Sequence, residues 1–459
     1  MANKRLSQTT TDNWGEIQLP TSITPFEEDA EDWLTTWKTV LARDLIDSRI
    51  VSVDAETSVE DACDLLLAES IPCLAVKSLD SRHNPSIPYL GLFDYADVNA
   101  FLTLAATRHT LPPEDLPGRS RVNEIIAAAK AGRVPVHLVS NLSEKNPIEI
   151  LPHNATLVVL LSIFARGTHR TLIQSAEKAD EFIGIVSDHR LLSWFDSYAR
   201  ETPAFMKYLS NPIQFLSLPS INLRDTIVSA PSSASVLDAM KMMSEEGVSS
   251  VAVVEENNGT LLSAVSVTDI GKIVVPSQSN QILTTPLLQF IAQIKEPDGS
   301  TDGVDKYPVY SVFPSSLLSY TVEKLLATNA HRVFVTRESG PASPTGLSVF
   351  SGNLSGIVSI VDILSLFARL AKVPDIDPTR MQRHRRASSA SSQSSFPDGD
   401  TIFRSRSNSR ASVTRSPLLG ASSPPGIPVL DSVLGSSLDP TNLQRKESRK
   451  GTRVKKDSI

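Results

Sequence analysis

The sequence predicts an α/β fold in which four repeats form two tandem pairs in a pseudo-symmetric disk, flanked by disordered termini. The same order of elements recurs four times between about residues 42 and 372: a short strand, a capped amphipathic helix, two apolar strands and a short closing helix. The motifs that close the four units are spaced by 93, 79 and 93 residues, a long-short-long pattern that indicates two pairs. One such unit is too small to bury both of its faces alone, so pairing is physically expected.

Changes in composition and patterning divide the 459 residues into seven predicted segments. The segments are a disordered N-terminus (1–26), an amphipathic helix (27–41), four repeats (42–105, 122–199, 214–276 and 282–372) and a disordered basic tail rich in Ser and Arg (373–459). The tail from Arg380 onward carries a net charge of +9, which leaves −16 for the preceding residues. A body this acidic argues against nucleic acid as a partner.

The predicted N-terminal helix begins with a run of acidic residues, which favour a helix N-terminus through the helix dipole. Trp33, Leu34, Trp37, Val40 and Leu41 then follow helical spacing. This spacing predicts an apolar face that packs on the neighbouring domain.

In the first repeat, the predicted helix begins at Thr57, where Glu60 completes a capping box. The strands of this repeat are predicted at 50–53, 73–76 and 89–93. The unit closes with Asp94-Tyr95-Ala96-Asp97.

The second repeat closes with Ser187-Asp188-His189-Arg190, so that Arg190 stands where the first repeat has Asp97. Its predicted elements are a helix at 155–164 and strands at 171–173 and 184–186.

The third repeat is the most regular, with a helix capped at Ser235 and a closing motif from Ser266 to Asp269. Its strands are predicted at 226–229, 251–254 and 263–265.

The fourth repeat closes with the motif Gly356-Ile357-Val358-Ser359-Ile360-Val361-Asp362. Its other predicted elements are strands at 310–312 and 333–335 and a helix at 321–327.

Two insertions lengthen the fourth repeat, at 296–306 and 339–353. The first is acidic, but the spacing of its carboxylates does not match a calcium-binding loop, so we expect a solvated loop. The second is rich in Pro, Gly and Ser.

The basic tail places arginines beside serines, and a phosphate on such a serine would reverse the local charge. The candidate phosphorylation sites are Ser388, Ser407, Ser412 and Ser416. Residues 449–456 are interpreted either as a nuclear-import signal or as a solubilising basic end. Since the N-terminus lacks the apolar region of a secretory signal, we expect the protein in the cytoplasm and nucleus.

A unit ending in Gly-apolar-apolar-Ser-x-x-Asp resembles the CBS (cystathionine β-synthase) repeat, and the resemblance covers about residues 42–372. The layout is similar to that of the γ subunit of AMP-activated protein kinase, which has Asp in the first, third and fourth closing motifs and Arg in the second. That subunit also has His-Arg before the central strands of its second and fourth repeats. The matching positions here are Asp97, Arg190, Asp269, Asp362, His169-Arg170 and His331-Arg332.

The resemblance implies adenine nucleotides (AMP, ADP or ATP) as regulatory ligands, with the motif Asp holding a ribose and His or Arg holding phosphates. The best site is expected between the third and fourth repeats. The candidate nucleotide-binding residues are Asp269, Asp362, Ser266, Ser359, His331, Arg332, Asp97, His169, Arg170 and Thr226. The structural alternatives are that the aspartates only cap helices and that the His and Arg side chains form salt bridges between repeats.

Several positions depart from the kinase-subunit pattern. The first motif has Asp94 in place of Ser or Thr, and Pro72 stands before its central strand. The third central strand is aligned with Glu246-Gly247-Val248, which contains no arginine. Some phosphate ligands are therefore expected to be missing.

Over the whole chain, the sequence resembles a fungal family of four-CBS proteins with a Ser/Arg-rich tail. The resemblance implies inhibition of a type 2A-like protein phosphatase and a link from nutrient or stress status to mitosis, DNA replication and cell separation. The first alternative is an adenine-nucleotide-sensing, γ-like subunit of a protein kinase, and the second is a CBS scaffold without a ligand. The expected partners are a phosphatase or its regulators, or a protein kinase.

We expect no enzyme activity, because the sequence has no phosphate-binding Walker loop, no dinucleotide-binding glycine loop and no nucleophile elbow. The histidines show no metal-ligand spacing along the chain, so no metal site is predicted. The two cysteines, Cys63 and Cys73, are expected to be buried thiols in a reduced compartment. No apolar stretch approaches the roughly 20 residues that span a bilayer, so no membrane partner is expected.

Overall fold

The protein is described by a computed structural model, and the residues whose structure is described are 23–78, 88–107, 120–178, 180–221, 227–274, 281–295, 311–337 and 353–376. The disorder predicted for 1–22 and 377–459 lies outside these residues. So do the insertion at 296–306, nearly all of the insertion at 339–353, Thr226 and the four candidate phosphorylation serines.

Each repeat folds into one three-stranded sheet with two helices. Repeat 1 contains β1 (Ser52–Val53), α2 (Val59–Ala68), β2 (Cys73–Lys77), β3 (Tyr89–Asp94) and α3 (Tyr95–Thr107). Repeat 2 contains β4 (Ile150–Pro152), α5 (Leu157–Phe164), β5 (Arg170–Gln174), β6 (Phe182–Ser187) and α6 (Asp188–Glu201). Repeat 3 contains β7 (Ser229–Pro231), α8 (Val236–Glu245), β8 (Ser250–Val254), β9 (Leu261–Ser266) and α9 (Val267–Val274). Repeat 4 contains β10 (Ser311–Val312), α12 (Leu318–Ala327), β11 (Arg332–Thr336), β12 (Leu354–Ser359) and α13 (Ile360–Leu370).

Further helices join the repeats. They are α1 (Glu27–Trp37), α4 (Ser120–Lys130), α7 (Pro203–Leu209), α10 (Gln281–Thr284) and α11 (Leu287–Lys295).

The central strand of every sheet is parallel to the first strand and antiparallel to the third. Its first residue therefore lies opposite the residue that caps the closing helix. The four pairs are Cys73 with Asp94, Arg170 with Ser187, Ser250 with Ser266, and Arg332 with Ser359. This register corrects one alignment made from the sequence: Ser249-Ser250, and not Glu246-Gly247-Val248, is the counterpart of the His-Arg pairs in repeat 3.

The helix starts also show where the sequence patterns misled. The capping box predicted at Thr57 and Glu60 is wrong, because the Ser58 hydroxyl accepts the Asp61 N–H at 3.0 Å, which places the N-cap of α2 one residue later than predicted. Ser58 also forms an isolated antiparallel β-bridge with Pro135, which holds the backbone in place at the start of this helix. The cap at Ser235 is confirmed, with Asp238 completing its capping box.

The two tandem pairs are confirmed, and within each pair the two repeats meet through their sheets. Cys73 of repeat 1 packs against Leu172 and Ile185 of repeat 2. Ala252 of repeat 3 packs in the same way against Phe334 and Ile357 of repeat 4. Burying these apolar sheet faces removes surface that a single repeat would leave in water.

The helices join the two pairs to each other. Helix α3 of repeat 1 packs on α8 and α9 of repeat 3, while α5 and α6 of repeat 2 pack on α13 and α12 of repeat 4. Two buried side-chain hydrogen bonds cross these interfaces, from Asn99 to the Met240 carbonyl at 3.2 Å and from Ser365 to the Ala165 carbonyl at 3.0 Å. Each repeat therefore contacts one neighbour through its sheet and another through its helices, and the four close into the expected disk.

The N-terminal helix packs on repeats 2 and 4, but it ends at Trp37, earlier than the predicted 41. Trp33 lies edge-on to Phe205 with ring centroids 4.9 Å apart, and Trp37 lies edge-on to Phe195 at 5.0 Å. Both indoles are almost fully buried. This aromatic cluster anchors α1 as part of the core, as the spacing of the tryptophans indicated.

Among the described residues, no helix combines the length and apolar character needed to cross a membrane.

Candidate functional site

The glycine of the closing motif allows a linker segment to lie directly on the third strand of the sheet. A Cβ on Gly91 would overlap Ser140, one on Gly184 would overlap Ile46, and one on Gly356 would overlap the backbone of Ile221. Repeat 3 has Ser263 at this position. The glycines therefore permit close approach, and in repeats 1 and 4 the approaching segment lies beside a motif aspartate that was predicted to bind a nucleotide.

In repeat 1, residues of the linker segment donate hydrogen bonds to the motif carboxylate, Asp97. Asp97 is fully buried and accepts hydrogen bonds from the N–H groups of Asp94 and Asn141 and from the N–H and hydroxyl of Ser143, at 2.7–3.2 Å. Burial and the neighbouring Asp94 charge raise the pKa of Asp97 to about 7. Since four donors use the acceptor positions of this carboxylate, it is poorly placed to accept a ribose hydroxyl as well.

In repeat 4, Asp362 is likewise fully buried. It accepts the N–H of Ser359 at 2.9 Å and the hydroxyl of Ser359 at 2.7 Å, and its second oxygen accepts the Ser220 hydroxyl at 2.8 Å. Burial raises the pKa of this carboxyl above its usual value. Asp362 caps α13 and ties it to the linker that precedes repeat 3.

Repeat 3 differs, because its motif carboxylate faces a cavity. Oδ2 of Asp269 accepts the N–H and hydroxyl of Ser266, at 2.9 and 2.8 Å. Among the described residues, none donates a hydrogen bond to Oδ1, and the side chain is only half-buried. Asp269 can therefore cap its helix and still accept a hydrogen bond from a ligand.

The cavity lies where the four repeats meet and has a volume of about 840 Å³. Every repeat contributes charged or polar side chains to its lining. They include Asp47, Asp94, Lys145, His169, Arg170, Asp188, His189, Ser266, Asp269, Lys272, His331 and Arg332. This volume is within the range that holds small-molecule ligands in proteins.

The two arginines predicted to hold phosphates lie in this cavity. Arg170 donates to Asp94 at 2.9 Å and to Asn146 at 3.1 Å, so the unusual Asp94 of the first motif forms an ion pair across the sheet interface. Burial alone would raise the pKa of Asp94, but Arg170 and Asn146 hold it below its usual range. Asp94 also caps α3, since its Oδ1 accepts the N–H groups of Ala96 and Asp97.

A second carboxylate, Asp188, lies between the two predicted histidines. Its Oδ2 is 2.7 Å from Nδ1 of His169 and 3.7 Å from Nδ1 of His331, and its Oδ1 accepts the N–H of His189 at 2.7 Å. Burial opposes ionisation of Asp188, but the two imidazoles outweigh it and hold its pKa well below the usual range. The structure thus joins histidines of repeats 2 and 4 through one buried acid.

The structure brings six of the predicted nucleotide-binding residues together in one cavity: Ser266, Asp269, His169, Arg170, His331 and Arg332. Asp97, Asp362 and Ser359 do not line this cavity. Asp188 and Lys272 also line this cavity, although the sequence motifs did not identify them. The position of Asp188 directly after the capping Ser187 was the available signal, because it places a carboxylate in the first turn of a closing helix.

Cys63 and Cys73 are buried free thiols. Burial raises the pKa of Cys73 to about 11, which disfavours its reactive thiolate form.

Comparisons with known proteins agree with the repeat assignment. The family model for the CBS domain matches residues 220–275. The protein sds23 of Aspergillus niger is 33% identical over 303 residues, which cover 65% of this chain and 57% of that protein. The protein SDS23 of Yarrowia lipolytica is 30% identical over 370 residues, which cover 76% of this chain and 70% of that protein. The chain spans less than two thirds of the length of the first curated relatives it matches.

Among solved structures, the chain is similar to a protein of Methanocaldococcus jannaschii that is described as a candidate archaeal homologue of γ-AMPK. The two are 14% identical, with a TM-score of 0.46 over 72% of this chain and 100% of that one.

Proposed function

The chain belongs to the Sds23 family of CBS-domain regulatory proteins, and from this premise we propose that it controls a type 2A-like protein phosphatase without catalysing a reaction itself. In this proposal it inhibits the phosphatase and links nutrient or stress status to mitosis, DNA replication and cell separation. The proposal draws on the resemblance of the whole chain to four-CBS regulators.

We propose further that the central cavity senses an adenine nucleotide. The observation that carries this proposal is the position of Asp269, which lines a cavity that also contains Arg170 and Arg332 and whose cap uses Oδ2. A carboxylate accepts hydrogen bonds from ribose hydroxyls, while guanidinium groups donate to phosphate oxygens. Lys272 adds an exposed cation to the same lining. AMP, ADP and ATP are the ligands to test.

The four-repeat arrangement suits such a sensor because the cavity has walls from every repeat. A ligand that contacts repeat 3 through Asp269 and repeats 2 and 4 through their arginines would stabilise one arrangement of the disk over others. A partner that binds the rim of the disk would then respond to the nucleotide through this shift in population.

The partner is best tested by affinity purification of the full chain from its native organism. Recovery of a type 2A-like phosphatase or its regulators supports the proposal. Recovery of kinase catalytic and scaffold subunits instead would support the alternative of a γ-like kinase subunit. A purified complex whose phosphatase activity is unaffected by the chain would overturn the inhibitory role.

The basic tail enters the proposal as a regulated segment, with the protein in the cytoplasm and nucleus. Phosphates on Ser388, Ser407, Ser412 and Ser416 would each add roughly −1.5 to −2 charges. They would weaken the attraction between the +9 tail and the −16 body. Replacing these four serines with alanine should alter regulation in cells while leaving the thermal unfolding midpoint of the disk unchanged, and unchanged cellular behaviour would rule the role out.

A further inference from the structure

We propose that His169, Asp188 and His331 form a binding site for a divalent transition-metal ion, with zinc as the ion of best fit. The inference goes beyond the proposed function, because it concerns a metal and not a nucleotide. It also revises the expectation, drawn from spacing along the chain, that the histidines bind no metal. The ligands come from two different repeats and meet only in the folded disk.

The distances between the ligand atoms support this site. One ring nitrogen of His169, one ring nitrogen of His331 and a carboxylate oxygen of Asp188 all lie within 4.8 Å of one another. In a tetrahedral zinc site with bonds of about 2.0–2.1 Å, neighbouring ligand atoms are roughly 3.3 Å apart. The observed separations of 2.7 and 3.7 Å from Asp188 Oδ2 bracket that value. Shifts of roughly half an ångström in the two imidazoles would therefore complete the geometry.

The donor set selects the class of metal. Two imidazole nitrogens and one carboxylate oxygen are typical ligands of zinc, while Mg²⁺ and Ca²⁺ prefer oxygen ligands. Three protein ligands leave one tetrahedral position unfilled. The three ligand residues line the cavity of about 840 Å³, from which water can supply the fourth ligand.

The backbone holds each ligand in place before any metal arrives. The carbonyl of His169 accepts the N–H of Asp188 at 3.0 Å, and the carbonyl of His331 accepts the N–H of Ile360, also at 3.0 Å. Oδ1 of Asp188 accepts the His189 N–H, which leaves Oδ2 directed at the histidines. The first two bonds fix the backbone at the histidines, and the third orients the carboxylate, as hydrogen bonds to ligating carboxylates regularly do in metal sites.

One buried polar atom has no other evident use. Nδ1 of His331 is enclosed, and no described residue lies within hydrogen-bonding distance of it, because its ion-pair partner Asp188 is 3.7 Å away. Buried polar atoms of this kind are rare and need an explanation. A metal bound between Asp188 and His331 would satisfy this atom and tie repeat 2 to repeat 4.

The test is a titration of the full, metal-stripped chain, free of nucleotide and of any histidine tag, with Zn²⁺ and Co²⁺. We expect one equivalent to bind, with the Co²⁺ complex showing the intense visible bands of a tetrahedral site. His331→Ala should weaken binding by at least tenfold. Since the His331 side chain is about one-third exposed (36%), this variant should fold.

His137→Ala is the matched control. His137 is also partly buried and lies 3.5 Å from a carboxylate oxygen of Glu56, but the described residues place no second histidine in that ion pair. Its loss should leave metal binding unchanged. The proposal is overturned if Zn²⁺ and Co²⁺ do not bind, if Co²⁺ binds without tetrahedral bands, or if His137→Ala weakens binding as much as His331→Ala does. None of these outcomes depends on nucleotide binding, so the proposed nucleotide sensor can fail or stand separately.

Discussion

The closing motifs of repeats 3 and 4 have the same capping residues but face different surroundings. In both, a serine and an aspartate three residues later exchange hydrogen bonds at the start of a helix. In repeat 4, the hydroxyl of Ser220 in the linker donates to the second oxygen of Asp362, whereas in repeat 3 the Asp269 carboxylate lines the central cavity. The motif therefore guarantees a helix cap, and the neighbouring segment decides whether the carboxylate remains available to a ligand.

The first prediction tests the close approach of the linker to the strand in repeat 4. Gly356→Ala should lower the free energy of unfolding by about 1–3 kcal/mol or more, because the new Cβ would collide with the backbone of Ile221, which cannot turn aside as a flexible side chain can. Ser263→Ala, at the equivalent position in repeat 3, should cost less, because Ser263 already has a Cβ. Equal losses in denaturant unfolding would show that the linker does not press on the strand.

The second prediction compares the two aspartates as stabilising groups. Asp362→Ala removes three hydrogen bonds from a fully buried site and should cost about 2–4 kcal/mol. Asp269→Ala removes two hydrogen bonds from a half-buried cap and should cost about 1 kcal/mol. Thermal or denaturant unfolding of both variants measures which substitution lowers the free energy of unfolding more. A larger decrease for Asp269→Ala would contradict the distinction between Asp362, which Ser220 covers, and Asp269, which lines the cavity.

The third prediction concerns the titration of Asp97, the motif aspartate of repeat 1 to which the linker donates hydrogen bonds. Burial and Asp94 raise the folded-state pKa of Asp97 to about 7 from its ordinary 3.8, so the folded state binds an additional proton between these values. Asp97 therefore contributes stability at low pH that is lost as the pH rises from about 4 to about 7. Asp97→Asn should flatten this part of the dependence of the unfolding midpoint on pH. The same slope in the variant and the parent chain would show that Asp97 does not titrate in this window.

The sequence predicted much of the fold because the fold depends on local signals. The alternation of strands and amphipathic helices, the serine caps and the two helical tryptophans each act over a few residues. Errors occurred where a contact distant in the sequence decides the outcome. The helix cap predicted at Thr57 lies at Ser58, the residue that forms a β-bridge with Pro135. The register of the sheets, and not the local sequence, shows that Ser250 is the counterpart of Arg332.

The candidate site was less predictable for the same reason. Resemblance identified the His-Arg pairs and the motif aspartates, but it could not show that Ser220 covers Asp362 or that Ser143 covers Asp97. The role of Asp188 was hidden because its two histidines lie 19 residues before it and 143 residues after it in the sequence. Which side chains meet at the centre of the disk depends on how all four repeats assemble.

The most direct test of the central claim is calorimetric titration of the full chain and two variants with AMP, ADP and ATP. We predict that the parent chain binds at least one of them and that Asp269→Ala weakens the binding by tenfold or more, as the loss of one or two hydrogen bonds to a ribose implies. Asp362→Ala, once shown to be folded by circular dichroism, should bind as the parent chain does. Absence of binding at millimolar nucleotide would contradict the account and support a scaffold without a ligand. A loss of nucleotide affinity in Asp362→Ala but not in Asp269→Ala would contradict the assignment of Asp269 as the motif aspartate that binds the nucleotide.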